Sequence, residues 1–182
     1  MQMGRFLSPK EIVAQFTLEP GMKVADFGSG AGDFAVAIAK TVGPTGRVFA
    51  IDVLESAHQS LRSKSKMEGV SNIDMILTNL ETETGSTLPN ASVDQVMIHN
   101  VLFQVEDRVH LIKEALRVLK PGGKLVVVEW DVSSPIGPLR AARMPEPEVT
   151  SLITSVGFDI EKRINAGRYH YGVLYTKPNS EE

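Results

Sequence analysis

The segment from Lys23 to Lys40, KVADFGSGAGDFAVAIAK, restricts this chain more than any other. Val24 and Ala25 open it as a buried strand, Asp26 follows, Gly28, Gly30 and Gly32 alternate through a turn, and the rest has the period of an amphipathic helix. Glycines let backbone N–H groups approach a bound group with no Cβ in the way, and the helix N-terminus behind them attracts negative charge. Strand, glycine turn and helix together form a ligand cradle. Its spacing narrows the choice. A dinucleotide fingerprint, G-x-G-x-x-G, needs its third glycine where this chain has Asp33, so the pattern here is G-x-G-x-G. Asp26, just before the turn, can accept from an ammonium group, which a pyrophosphate lacks and an amino-acid ligand carries.

The remaining chain repeats the alternation of strand and helix. Ser8-Pro9-Lys10-Glu11 carries the signature of a capped helix start, with Ile12, Val13 and Phe16 as its apolar face. Arg47 to Ile51 reads as a second strand ending at Asp52, about 20 residues after the glycine turn, where a ribose-binding carboxylate belongs. A polar helix over Glu55 to Met67 leads to a third strand, Ile73 to Leu77, followed by Asn79 and Leu80 at its carboxyl end. The fourth strand, Ser92 to Ile98, ends at His99-Asn100. Asp107 caps the next helix, Lys120-Pro121-Gly122-Gly123 stops it, and Lys124 to Glu129 is a fifth strand apolar enough to be buried on both faces. A proline-rich loop from Trp130 to Pro145 precedes a last helix, Glu148 to Val156. Phe158 to Ile164 and Tyr169 to Thr176 alternate as a hairpin, and one of its strands must run antiparallel to the rest.

At 182 residues the chain predicts one domain spanning 1–182, with an N-terminal helical segment (1–20) over the cofactor side and a frayed tail at 177–182. No apolar run approaches the ~20 residues of a membrane span, and MQMGRFLSPK lacks the apolar core of a signal peptide, so a cytoplasmic protein is expected. A net charge of −3 gives no overall basic field. Arg62, Lys64 and Lys66 are the strongest basic cluster, and a solvated helix face explains them better than nucleic acid does. The absence of cysteine removes disulfides, zinc thiolate sites and a thiol nucleophile, and no acidic cluster has metal-binding spacing.

Four segments carry a family resemblance. VADFGSGAG is similar to motif I of the class I S-adenosylmethionine (SAM)-dependent methyltransferases, VFAIDVLE to their ribose-binding strand, VDQVMIHNVL to their fourth-strand motif and LKPGGKLVVVEW to their fifth strand. The opening RFLSPKEIVAQFTLEPGMKVADFG and the closing YHYGVLYTKP resemble the small type 11, or UbiE-like, subgroup. The resemblance implies a Rossmann-like α/β fold: seven strands, mostly parallel, an antiparallel C-terminal hairpin and helices on both faces. It implies a methionine ammonium near Asp26 and the backbone of Gly28, Ser29, Gly30 and Gly32. It also implies ribose hydroxyls on Asp52, adenine near Val53, Asn79 and Leu80, and Asn100 beside the methionyl moiety. Ser29 stands where many relatives have Cys, and Phe103 where they often have His.

Methyl transfer from a sulfonium is an in-line displacement, so the main tasks of such a site are alignment and exclusion of water, and a general base is needed only for a protonated nucleophile. The candidates beside the methyl group are His99, Asn100, Trp130 and His170, the last placed by alternation on the face opposite Tyr169 and Tyr171. Arg140 and Arg143 are either solvated or a clamp for an anionic acceptor. The expected acceptor is a small molecule, with RNA, a protein side chain, or SAM binding without turnover as alternatives. A homodimer partner or the N-terminal helix are two ways to close an otherwise open cleft.

Overall fold

The computed structural model describes residues 8–83 and 85–179. Seven strands form one sheet: β1 (Lys23–Phe27), β2 (Arg47–Asp52), β3 (Ile73–Leu77), β4 (Val93–His99), β5 (Leu119–Trp130), β6 (Asp159–Ile164) and β7 (His170–Thr176). Their spatial order is β3-β2-β1-β4-β5-β7-β6. β1 to β5 are mutually parallel, β7 pairs antiparallel with β5, and β6 pairs antiparallel with β7. The Rossmann-like, mostly parallel seven-stranded sheet with an antiparallel C-terminal hairpin, expected from the sequence, is therefore present. The order reverses between β1 and β4, and such a switch point leaves a crevice at the carboxyl ends of the strands.

Side chains of alternate residues build two cores. α1 (Pro9–Val13), α2 (Asp33–Val42) and α3 (Glu55–Met67) cover one face, packing Ile12, Ile38 and Leu61 over Val24, Met97 and Val126. α4 (Arg108–Val118) and α5 (Glu146–Val156) cover the other, packing Ile112 and Ile153 over Val96, Val127 and Tyr175. Central strands covered on both sides read as nearly unbroken apolar runs, which is why LVVV in β5 was recognisable. The same parity puts Asp26, His99, Trp130 and His170 on the α1–α3 face, and Glu129 and Tyr171 on the other.

Several boundaries differ from expectation for identifiable reasons. β5 starts at Leu119, because Leu119 pairs with Val93 before Pro121-Gly122-Gly123 bulges out and pairing resumes at Gln95 with Lys124. α1 is short, and Phe16 is buried beyond its end. Ser8 and Glu11 form the capping box read from the sequence. Gln15 exchanges two hydrogen bonds of 2.7 Å with the backbone of Asn165, in the β6–β7 turn, which brings this segment to the edge where the strand tips lie. Residues 1–7 of the expected cover lie outside the described residues. Lys177 is not frayed: its ammonium donates to the carbonyls of Leu116 and Leu119, satisfying the end of α4, and its backbone bonds the Gly122-Gly123 bulge.

Gly32 caps α2 at φ 84°, and a Cβ there would stand 2.2 Å from Leu61 Cδ1. Gly157 ends α5 in the same left-handed region, at φ 116° and ψ 19°, but a Cβ there would meet only Leu116 Cδ2, at 3.8 Å. Alanine at either position carries the left-handed backbone cost, and only at Gly32 does it also force α3 away from α2. Gly32→Ala is therefore expected to lose ~1–3 kcal/mol more in urea-unfolding free energy than Gly157→Ala.

Candidate functional site

The glycine turn is pinned to the tip of β2. The N–H groups of Gly28 and Ser29 both donate to the Ile51 carbonyl, at 2.8 and 3.0 Å, and the Gly30 N–H donates to Asp52 Oδ2 at 2.8 Å. Asp52 Oδ1 accepts from Leu54 N–H, so the carboxylate is oriented from both sides. Gly28 has φ 74°, and a Cβ on it would fall 2.3 Å from Val101 Cγ2. The missing side chain thus admits the loop that follows β4. Gly30, with φ 53° and open space around it, faces the crevice.

This crevice is a cleft of about 480 Å³ between the tips of β1, β2 and β4. Asp26, Gly28, Ser29, Gly30, Asp52 and Val53 line its middle, at the tips of β1 and β2, with Asn79 and Leu80 after β3 towards one end and His99 and Asn100 at the tip of β4 towards the other. Of the residues expected at a cofactor, only Gly32 is absent from the lining: it serves the contact between α2 and α3 described above. Val53 is exposed on the rim, whereas Leu80 is buried and belongs to the core. Asn79 Oδ1 is taken by the Glu81 N–H, which fixes the turn after β3.

Three side-chain oxygens at this cleft are buried and unpartnered: Asp26 Oδ2, Ser29 Oγ and Asn100 Oδ1. A buried acceptor without a donor costs free energy, so two carbonyl-type oxygens left bare in one cleft point to a ligand that brings N–H groups. Burial, reinforced by the nearby Asp52 carboxylate, pushes the Asp26 carboxyl up from 3.8 to about 7, while the Ala35 N–H at the start of α2 works in the opposite direction. A cationic ligand would lower it again.

Glu129, Glu81 and Arg143 hold the surrounding loops, and their roles were not legible from spacing. Glu129 is buried, and its Oε1 accepts from the N–H groups of Val101 and Leu102 at 2.8 and 2.7 Å. Desolvation raises its carboxyl to about 7 against those bonds. Glu81 Oε1 accepts from Glu106 and Asp107 at the entrance to α4. Arg143, considered as an anion clamp, instead donates to the carbonyls of Asp131, Ser134, Ile136 and Pro138 and ties the loop after β5 to itself. Arg140 is exposed on a short 3-10 turn, Arg140–Ala142. Lys64 is paired with Asp33, so the basic cluster on α3 is partly neutralised.

The remaining candidates meet at one end of the cleft. His99 lines it and packs against Phe34, with ring centroids 4.3 Å apart. Trp130 and His170 lie outside the lining but stack on each other at 4.1 Å. Asn100 joins the groups: its Nδ2 is 3.2 Å from His99 Nε2 and 3.1 Å from His170 Nε2. Burial lowers His99 to about 3, helped by His170, and His170 to about 4, so both rings are neutral near pH 7.

The free protein carries Asp26 at a cost that a neutral isostere removes. The folded chain holds this proton from pH 3.8 to about 7 while the unfolded chain has released it, so stability falls as pH rises through that window and levels off above it. Asp26→Asn is expected to be more stable than the parent by an amount that grows over the same window and reaches a few kcal/mol, roughly, above pH 7. Urea unfolding of both proteins at pH 4.5, 6 and 7.5 checks it.

Comparison with known proteins adds an independent line. The profile of a family described as a methyltransferase domain matches residues 18–164. The chain is 39% identical over 121 residues to the ubiquinone/menaquinone biosynthesis C-methyltransferase UbiE of Hydrogenovibrio crunogenus, covering 65% of this chain and 46% of that one. It is 32% identical over 167 residues to UbiE of Shewanella halifaxensis, covering 86% and 65%. It thus spans about half to two thirds of the length of these relatives. A SAM-dependent methyltransferase from Aquifex aeolicus superposes with a TM-score of 0.86 at 26% identity, over 94% of this chain and 90% of that one. The [4+2]-cyclase SpnF shares the fold with a TM-score of 0.78 at 16% identity, over 94% and 80%.

Proposed function

Because this chain belongs to the class I SAM-dependent methyltransferases, and within them to the UbiE-like group, we propose that it moves the SAM methyl group onto a small organic acceptor of the quinol class. The observation that carries this reading is the pair of bare acceptors, Asp26 Oδ2 and Asn100 Oδ1, in one cleft beside the glycine turn. An α-ammonium has the hydrogens these oxygens lack, and a nicotinamide dinucleotide offers no such group at that place. Asp52, already aimed by Gly30 and Leu54, has lone pairs left for ribose hydroxyls. Val53 and Leu80 supply apolar surface for a purine. The residues present therefore fit SAM, which when bound supplies an electrophilic methyl on a good leaving group.

The protein contributes alignment. Glu129 fixes the backbone of Val101 and Leu102 next to Asn100, and Phe34 braces His99, so the wall beside the reacting atoms is rigid before an acceptor arrives. The His99, Asn100, Trp130 and His170 side chains are themselves uncharged near pH 7, and the Asp33 carboxylate that acts on His99 from the same cleft is negative. A neutral, aromatic-lined wall favours a flat organic ring over a phosphate backbone. The names of the relatives support a quinone-type ring as the acceptor, carbon being the methylated atom in UbiE proteins.

Calorimetry is expected to show micromolar-scale binding of SAM and S-adenosylhomocysteine, with Asp52→Ala weakening both by about tenfold or more. Below pH 7 binding is expected to release a proton, because the ligand ammonium stabilises the ionised Asp26. Affinity should rise with pH and level off above about 7, and Asp26→Asn should abolish the proton release. Absence of binding by either ligand sinks the reading. The acceptor class is tested with methyl-labelled SAM against demethylated naphthoquinols, a catechol, RNA and protein. Label in the last two alone would replace it.

A further inference from the structure

Asn100 is fixed by nearly every polar atom it has. Its N–H donates to the Val128 carbonyl at 2.9 Å, its carbonyl accepts from Gln104 Nε2 at 2.8 Å, and φ is 56°, a left-handed conformation that Asn tolerates better than most residues. Its Nδ2 reaches one imidazole nitrogen on β4 and another 70 residues further along the chain, at the start of β7. An amide nitrogen has two hydrogens and accepts nothing. Both contacts are hydrogen bonds only if each Nε2 presents its lone pair, and each ring then carries its hydrogen on Nδ1. Turning the amide over inverts the arrangement: Oδ1 would accept from both rings, whose hydrogens would have to sit on Nε2.

The network by itself satisfies either orientation. The cleft breaks the tie. In the orientation found, Oδ1 is buried and unpartnered, and Asn100 lines the cleft that also holds the bare Asp26 oxygen. A bound ammonium would donate to Oδ1 in this orientation and would meet a repelling NH2 in the other. Ligand occupancy at the Asp26 end and the protonation pattern at the far end are two faces of one amide rotation.

We propose that Asn100 is a positioning residue that couples cofactor binding to the tautomers of His99 and His170, fixing both as neutral Nδ1–H rings while the cofactor ammonium is held. The inference rests on reading the cleft as the SAM site. Its consequence is specific: neither Nε2 can receive a proton while the donor is in place, so these histidines shape and orient the acceptor rather than deprotonate it through that nitrogen. Because burial keeps both rings uncharged near neutrality, the coupling acts through tautomer and not through charge. Free imidazole prefers Nε2–H, so a matched pair of Nδ1–H rings is a distinctive signature.

Two-bond proton–nitrogen correlation spectra of the 15N-labelled full chain read it directly, with His99 and His170 identified by the signals lost in His99→Gln and His170→Gln. With saturating S-adenosylhomocysteine both rings are expected as Nδ1–H. In Asn100→Asp, whose carboxylate only accepts and whose backbone tolerates the same φ, both are expected to become Nε2–H. Either ring found as Nε2–H in the complex of the parent protein overturns the coupling and leaves the SAM reading standing, whereas failure to bind S-adenosylhomocysteine overturns both. His170→Phe keeps a ring against Trp130 and deletes Nε2. It is expected to weaken S-adenosylhomocysteine binding by about threefold to tenfold, and unchanged affinity counts against the coupling.

Discussion

The structure depends on a small backbone-to-tip connection: two N–H groups of the glycine turn on the Ile51 carbonyl, and a third on the Asp52 carboxylate. These bonds run between adjacent parallel strands at the point where the sheet ladder would otherwise stop. They hold the turn open as a cradle, aim Asp52, and leave α2 starting immediately behind. Had Gly28 carried a side chain, the loop after β4 would not fit against the turn, and Asn100 would not share a cleft with Asp26. The cleft and the groups that line it are built around one tight junction.

Local features were legible in the sequence because their physics is local. A capping box, a glycine turn, an acid at a strand tip and a strand with three successive valines each announce themselves within a few residues. The G-x-G-x-G spacing and Asp26 pointed to the kind of ligand before any contact was known. What could not be read was pairing across the sheet. The Glu129 contacts with Val101 and Leu102, the Asn100 bridge to His170 and the Lys177 cap on α4 join residues far apart in sequence, and no spacing rule brings them together. Gly32 shows a subtler limit: a motif glycine can be demanded by the helix packed on it, here through Leu61, and not by the ligand. Arg143 shows another, since a loop arginine facing several bent carbonyls is consumed by its own loop.

Two buried carboxyls, Asp26 and Glu129, are held at about 7 by desolvation on opposite faces of the sheet. Their environments differ in what remains unsatisfied. Glu129 is answered by two backbone donors of the same chain and so acts on the fold. Asp26 keeps one oxygen without a partner, so the fold is completed only when something else supplies the hydrogen. Binding strength at such a site is stability the free protein has gone without.

Trp130 is the chain's single tryptophan, and it sits between the His170 ring and Gly137, where even a methyl group would come within 2.6 Å of the indole. Its excited state therefore samples one spot in the molecule, the ring cluster that Asn100 ties to the end of the cleft. Indole emission excited at wavelengths tyrosine does not absorb is a single-site optical probe, and a change at the His170 ring alters its quantum yield. The arrangement gives the molecule a built-in readout of this one corner of the fold, with no label added.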